Sequence, residues 1–364
     1  MLLKLGADVH ACPVDDDNLL LDESMVKVLE AAKTIFPIQE ARANDAELLK
    51  AASEGRVDDV RKLVEQGADV HSRNKDGNTP KCWRLRRRIH LAAEKGHSEV
   101  VRLLHTLKAD MCARSLDGDT PLHLAARNGH IETVDELAGS IFTVNAKGFA
   151  RFTPLHCAAD HGDAEVVMIL GEHGADCYET VYHGTTALHL AALRGHTKAV
   201  KALAQLIAGV DERDGFGRTA LSSAAGEGHV ETVKALEELE ADVHTRDLDE
   251  RTALIWAAHE GHAQTVKVLV ELGADVHARD EEGRTGLHWA ACNGHVQALK
   301  MLAELQADVH ARDAKGQTAL DLATLSMHEE VMKHLVKLEA SSWPTKSKVA
   351  AKRSKPTAVK DQQR

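Results

Sequence analysis

One short run returns along this chain at a fixed spacing, and that spacing limits the fold more than any other feature. Its clearest copy is Thr120-Pro121-Leu122-His123-Leu124-Ala125-Ala126-Arg127-Asn128-Gly129-His130. The threonines of successive copies are Thr120, Thr153, Thr186, Thr219, Thr252, Thr285 and Thr318, six consecutive intervals of 33 residues. Thr79 lies 41 residues before Thr120, one period with eight residues inserted. One period before Thr79 stands Ala46, at the head of Ala46-Glu47-Leu48-Leu49-Lys50-Ala51-Ala52. Nine units are recognisable.

The local chemistry of the run predicts a short helix. Thr120 can cap it, because its hydroxyl accepts a bond from an orphaned backbone N–H. Pro121 suits the first helical position, where a missing N–H costs nothing. Leu122, Ala125 and Ala126 form a narrow apolar face, and Gly129 can take the left-handed conformation that stops the helix. A helix of roughly two turns is unstable alone in water. It needs neighbours, which the repetition supplies.

Period and motif together resemble the ankyrin repeat, with its Thr-Pro-Leu-His-x-Ala signature. The resemblance covers about residues 45–340. It implies an all-α solenoid of stacked helix-turn-helix units with protruding hairpin loops. One elongated ankyrin domain is therefore expected over 44–340, in place of the two or three domains that 364 residues suggest by length. Aromatic content of 3% suits thin layers packed with Ala, Leu and Val. Residues 45–73 read as an N-terminal cap, charged and without the motif. Residues 318–340 read as the C-terminal cap, with Asp321 in the histidine slot.

Three stretches depart from the pattern. Residues 1–43 begin with half a repeat, Leu5-Gly6-Ala7-Asp8-Val9-His10-Ala11. An acidic run and a helical segment near Met25–Ile35 follow, so the region reads as a degenerate lead-in. The inserted octet is Lys81-Cys82-Trp83-Arg84-Leu85-Arg86-Arg87-Arg88, five of whose residues are basic. It is either a tolerated loop or a basic finger for an acidic partner or nucleic acid. Residues 341–364 form a basic tail of net charge +6, which leaves −17 on residues 1–340. Few apolar residues and two prolines predict disorder there.

The composition excludes several classes. A net charge of −11 is wrong for general nucleic-acid binding, which leaves only the insertion 81–88 and the tail for such contact. Six scattered cysteines without C-x-x-C suit a reduced compartment; a cytoplasmic location is expected, and the tail keeps a nuclear one open. No apolar run approaches the roughly 18 residues of a membrane span, and the first residues are too short for a signal peptide. No phosphate loop, nucleophile elbow or kinase signature is present, so no enzyme and no cofactor are expected. Of 23 histidines, 16 fall in three recurrent slots of the repeat. Those slots are structural, and no metal site is expected from them.

What remains is surface. By the resemblance, the concave face of the stack is built from loop tips and first helices. Five consecutive tips carry an apolar residue: Leu116, Phe149, Tyr182, Phe216 and Leu248. Glycine, Asn and Asp are the usual choices there, so the row is expected to bind a partner. The slot four residues after the threonine holds Trp256 and Trp289, candidate anchors. The slot before it holds Arg218, Arg251 and Arg284, which are suited to carboxylates unless loop acids already occupy them. The expected function is a non-enzymatic protein-interaction scaffold or adaptor. Its ligand would be an apolar segment with acidic residues, held in the groove. The second reading is a regulatory adaptor that meets nucleic acid or the nucleus through its basic segments.

Overall fold

A computed structural model describes residues 38–68, 70, 88–139 and 141–342. The lead-in up to residue 37, most of the inserted octet and the tail from 343 lie outside the described residues. So does the helical segment expected near Met25–Ile35.

Among the described residues, each period contributes two antiparallel helices, and hairpin loops join successive pairs from residue 107 onwards. The inner helices are Arg88–Glu94, Pro121–Arg127, Pro154–His161, Ala187–Leu193, Ala220–Gly226, Ala253–Glu260, Gly286–Cys292 and Ala319–Leu325. Their outer partners are Ser98–Thr106, Ile131–Ala138, Ala164–Glu172, Thr197–Leu206, Val230–Glu238, Ala263–Glu271, Val296–Glu304 and Glu329–Ser342. The pair Ile38–Glu54 and Val57–Glu65 precedes them, and its first helix runs across residues 43 and 44. No strand occurs among the described residues. Inner helices pack on inner helices of adjoining repeats, and outer on outer.

The core repeats with the sequence. Leu122, Leu155, Leu188, Leu221, Leu254 and Leu287 recur at the same inner-helix position, and all are buried. The paired alanines Ala125–Ala126 through Ala290–Ala291 are wholly excluded from water and let successive inner helices approach closely. Leu104, Leu137, Leu170, Leu203, Leu236, Leu269, Leu302 and Leu335 do the same for the outer layer. Each buried leucine contributes about 1.5–3 kcal/mol of hydrophobic stabilisation. Since every layer touches only its neighbours, the whole stack depends on continuity.

Histidines tie one repeat to the next in both directions. Thr120 N–H donates to His123 Nδ1 at 3.1 Å, and Thr120 Oγ1 meets the same nitrogen at 2.8 Å. That bonding leaves the proton on Nε2, which donates forward to the Phe152 carbonyl at 2.9 Å. His189 and His288 repeat the arrangement onto the carbonyls of Arg218 and Gln317. The Gly-His histidines reach backwards: His130, His196 and His229 bond the carbonyls of Glu94, Asp160 and Leu193 at 2.8, 3.0 and 3.0 Å. Gly195 shows why the corner needs glycine. Its φ is +72°, and a Cβ there would lie 2.6 Å from the His229 ring.

Burial disfavours the charged form of the forward-reaching histidines, so His123, His189 and His288 titrate below their ordinary range. His156 falls furthest, to about 4, again chiefly through burial. Protonation would also destroy the Nδ1 acceptor on which the threonine depends.

Candidate functional site

Hairpin tips and inner helices share one face of the stack. The five apolar tips are all exposed: Leu116 by 53%, Phe149 by 62%, Tyr182 by 61%, Phe216 by 48% and Leu248 by 70%. None folds back into the adjoining loop far enough to be covered. The hairpins are linked through their backbones. Gly215 N donates to the His183 carbonyl at 2.5 Å and Leu248 N to the Phe216 carbonyl at 3.0 Å. The His183 and Phe216 rings lie 5.0 Å apart. The tips from Tyr182 to Leu248 are therefore joined into one edge.

Beside that edge, rings and guanidinium groups alternate. Arg218 lies 5.0 Å from the Phe216 ring and 6.0 Å from Trp256. Arg251 sits between Trp256 at 5.0 Å and Trp289 at 4.7 Å, and Arg284 lies 4.9 Å from Trp289. His259 bridges the two indoles, 5.6 Å from Trp256 and 4.8 Å from Trp289. Both tryptophans are half-buried. Sequence reasoning named Phe216, Arg218, Arg251, Trp256, Trp289 and Arg284 for the groove but not His259; the contacts bring all seven together in a single ladder.

The arginines are not three open cations. Arg218 donates from Nε and Nη2 to Asp214 at 3.0 and 2.9 Å. Arg284 pairs with Glu282 at 2.7 Å, and Arg251 lies 3.7 Å from Asp249. The indoles are committed as well. Trp256 Nε1 donates to Asp247 at 2.7 Å and Trp289 Nε1 to Asp280 at 2.8 Å.

Those aspartates are the residues that sequence reasoning missed. Asp214, Asp247, Asp280 and Asp313 recur at 33-residue intervals, five residues before the threonine, and each is buried. One carboxylate oxygen accepts two backbone N–H groups of its own hairpin: Phe216 and Arg218, Asp249 and Arg251, Glu282 and Arg284, Lys315 and Gln317. The other oxygen meets a side chain. Their regular spacing was the available signal. Asp313 is the exception: its second oxygen has no hydrogen-bond donor, because position 322 holds leucine where the two preceding repeats hold tryptophan.

The groove is different three repeats before Trp256. At Cys157, a small residue fills the tryptophan slot, and a cavity of about 490 Å³ opens. Phe149 and Phe152 line it on the loop side, with Arg127, Asp119 and Asp160 among its polar groups. Arg127 is held by Asp119 at 3.0 Å and lies 3.6 Å from the Cys157 sulfur. Burial pushes the Cys157 thiol up to about 11, so it stays protonated at neutral pH and is a poor nucleophile. Among the described residues, no three His, Cys, Asp or Glu side chains gather as metal ligands would. No described helix is long and apolar enough to cross a membrane.

The basic octet is only partly within view. Arg88 opens an inner helix and is fully buried, with Nη2 donating to the Asp45 carbonyl at 3.1 Å and to its carboxylate at 3.0 Å. It is a strut between the first two described repeats and not part of an exposed finger. Lys81 to Arg87 lie outside the described residues.

The family model for ankyrin repeats matches in overlapping segments, 48–147, 89–181, 140–211, 176–247, 204–280 and 254–345. The chain belongs to the ankyrin repeat family. Similarity to individual ankyrin proteins is more limited. A mouse protein named protein phosphatase 1 regulatory subunit 27 is 37% identical over 76 residues, 21% of this chain and 44% of that protein. An ankyrin repeat-containing protein of Schizosaccharomyces pombe is 39% identical over 72 residues, 20% of this chain and 31% of its own. A putative ankyrin repeat protein of Rickettsia bellii is 29% identical over 115 residues, 30% of this chain and 58% of its own. The chain thus spans less than half the length of the mouse relative. Ankyrin repeats indicate a protein-interaction scaffold.

Proposed function

We propose that this ankyrin chain is a non-enzymatic scaffold that holds a protein partner in the groove between hairpin tips and inner helices. The observation that carries the reading is the unbroken row of exposed apolar tips, from Leu116 to Leu248. Soluble proteins rarely leave such a row uncovered without use. The half-buried indoles beside it supply aromatic anchors of the kind that dominate interface energetics. The mouse relative's name describes a phosphatase regulatory subunit. The likeness covers 76 residues of shared repeat, so it supports the frame more than it supports that partner. The inward turn of Arg88 weighs against the nucleic-acid reading.

The test is affinity capture with the full chain, partners being identified and quantified by mass spectrometry. The triple variant Tyr182→Ala, Phe216→Ala, Leu248→Ala removes exposed side chains and should melt like wild type. It should lose the captured partners, while Lys267→Ala on an outer helix should keep them. Full retention by the triple variant would refute the groove reading, and nuclease-sensitive capture would favour the basic segments.

A further inference from the structure

We propose that the groove between Phe216 and Leu322 selects a cationic segment of its protein partner, with Lys or Arg flanking apolar residues. This rests on the groove reading above and adds the sign of the partner's charge. The arginine row in the sequence suggests the opposite, an acidic ligand. The side-chain geometry reverses that expectation.

Arg218 and Arg284 each have a carboxylate within hydrogen-bond reach, Arg251 has Asp249 at 3.7 Å, and all three guanidinium groups are stacked against rings. Nε of Arg251 and of Arg284 has no hydrogen-bond partner among the described residues. An incoming carboxylate would have to displace Asp214 or Glu282, and at Arg251 would meet the charge of Asp249 close by. Several acids, by contrast, keep their charge. Asp247 and Asp280 accept from neutral donors, backbone N–H groups and an indole N–H. Glu227 and Glu260, at the ends of the inner helices, are exposed, as is Glu281 at a tip. Among the described residues, Glu260 is bonded to His259 alone, at 2.8 Å.

Asp313 supplies an independent sign. Its side chain is 1% exposed, and one carboxylate oxygen lacks any hydrogen-bond donor. The same oxygen of Asp247 and Asp280 faces the inner helix, where an indole meets it. At Asp313 the nearest cation is Arg284 Nε, 3.9 Å away, and Arg284 is already paired with Glu282. The hairpin arginines do not offset these charges at close range. Arg213 and Arg279 donate to the backbone carbonyls of Arg246 and Arg312, and Arg312 to that of Gly316. Across residues 211–322 the chain carries 22 Asp and Glu against 11 Lys and Arg. An acidic cleft with apolar walls draws in and orients a cationic segment.

The experiment uses the full chain and two fluorescein-labelled peptides, one of repeating Leu-Arg-Ala units and a twin with Glu for Arg. Anisotropy should report binding of the Arg peptide alone, weakening as salt is raised. The variant Glu227→Gln, Glu260→Gln, Glu281→Gln should bind it about tenfold less tightly, roughly 1.4 kcal/mol. The charge-matched variant Glu231→Gln, Glu271→Gln, Glu304→Gln, on the outer helices, should change affinity less than about twofold. Equal or tighter binding of the Glu peptide would overturn the proposal. So would equal losses in the two variants, which would mark a general attraction to an acidic protein. If the tip variant loses captured partners and yet the Glu peptide is preferred, the groove stands and only the charge assignment falls.

Discussion

The hairpins around Phe149 and Tyr182 differ from those around Leu248 and Glu282, although the helices beneath them are alike. In the later hairpins a buried aspartate folds the tip around its own carboxylate and then clasps an arginine or an indole. In the earlier ones that aspartate is absent. Gly148 and Val181 stand in its place, and the tips close through consecutive left-handed residues, Ala150 with Arg151 and His183 with Gly184. The earlier groove contains an open cavity at Cys157, whereas the later groove is filled with stacked rings and guanidinium groups. One repeat frame thus supports two kinds of groove lining, one open and one filled with paired side chains. The frame tolerates both because its stability lies in the Leu and Ala layers and the histidine ties below.

The contrast should be sharpest in the loop aspartates. Asp247→Ala removes the acceptor for two backbone N–H groups and for the Trp256 indole. We expect a loss of about 3 kcal/mol in urea unfolding, since buried donors are left unsatisfied. Ser115 occupies the matching place in an earlier hairpin and accepts one bond, from Asp119 N at 3.1 Å. Ser115→Ala should therefore cost under about 1 kcal/mol. Equal losses would erase the distinction between the two loop types.

Acid should separate the halves next. Of the four inner-helix histidines with depressed titration, His123, His156 and His189 lie in the earlier repeats and His288 lies in the later ones. Ser222 and Ile255 fill the slot between. For a base whose folded pKa is depressed, the unfolded chain takes up protons first as pH falls. Stability is then complete above the unfolded value and is lost progressively below it. For His156 the window runs from 6.5 down to about 4, with a loss near pH 5 of about 2 kcal/mol. Hydrogen exchange at pH 5 should show the helices of 121–206 losing protection before those of 220–271. Simultaneous loss would assign the acid sensitivity elsewhere.

A smaller effect, of opposite sign, should follow from completing the ladder. Leu322→Trp places an indole N–H where Asp313 has an unpartnered oxygen, copying the two preceding repeats. A gain of about 1 kcal/mol is expected, read as a higher melting midpoint. A lower midpoint would mean that the last repeat cannot accommodate the ring. The smallest effect belongs to the tips. Leu248→Ser alters a side chain that is 70% exposed and should shift stability by less than about 0.5 kcal/mol. A larger shift would show that the tip is part of the fold.

Much of the frame was legible in the sequence, and for an additive reason. A threonine cap, an alanine pair and a glycine corner act locally, so each copy can be read alone and the spacing confirms the rest. The apolar tips and the tryptophan pair were legible too, because unusual residues stand out against eight aligned copies. The arginines were legible as positions but not as charges. Whether Arg218 is available depends on where the Asp214 carboxylate points, and a linear sequence does not carry that direction. Arg88 shows the same limit. Within a run of basic residues it looks exposed, yet the start of an inner helix turns it inwards onto Asp45, 43 residues away.

By itself, then, the sequence determined the period, the helices, the layers that stack them and the residues that face the groove. Those follow from local propensity and from apolar spacing, which act along the chain. The tertiary structure alone decided which side chains are already occupied: Arg218 and the indoles held by loop aspartates, Arg284 held by Glu282, a cavity left at Cys157, and an acceptor left open at Asp313. Such pairing depends on distances of a few ångströms between groups a hairpin or a whole repeat apart. Coulomb attraction and hydrogen bonding fall off too steeply over such distances for spacing in sequence to stand in for geometry.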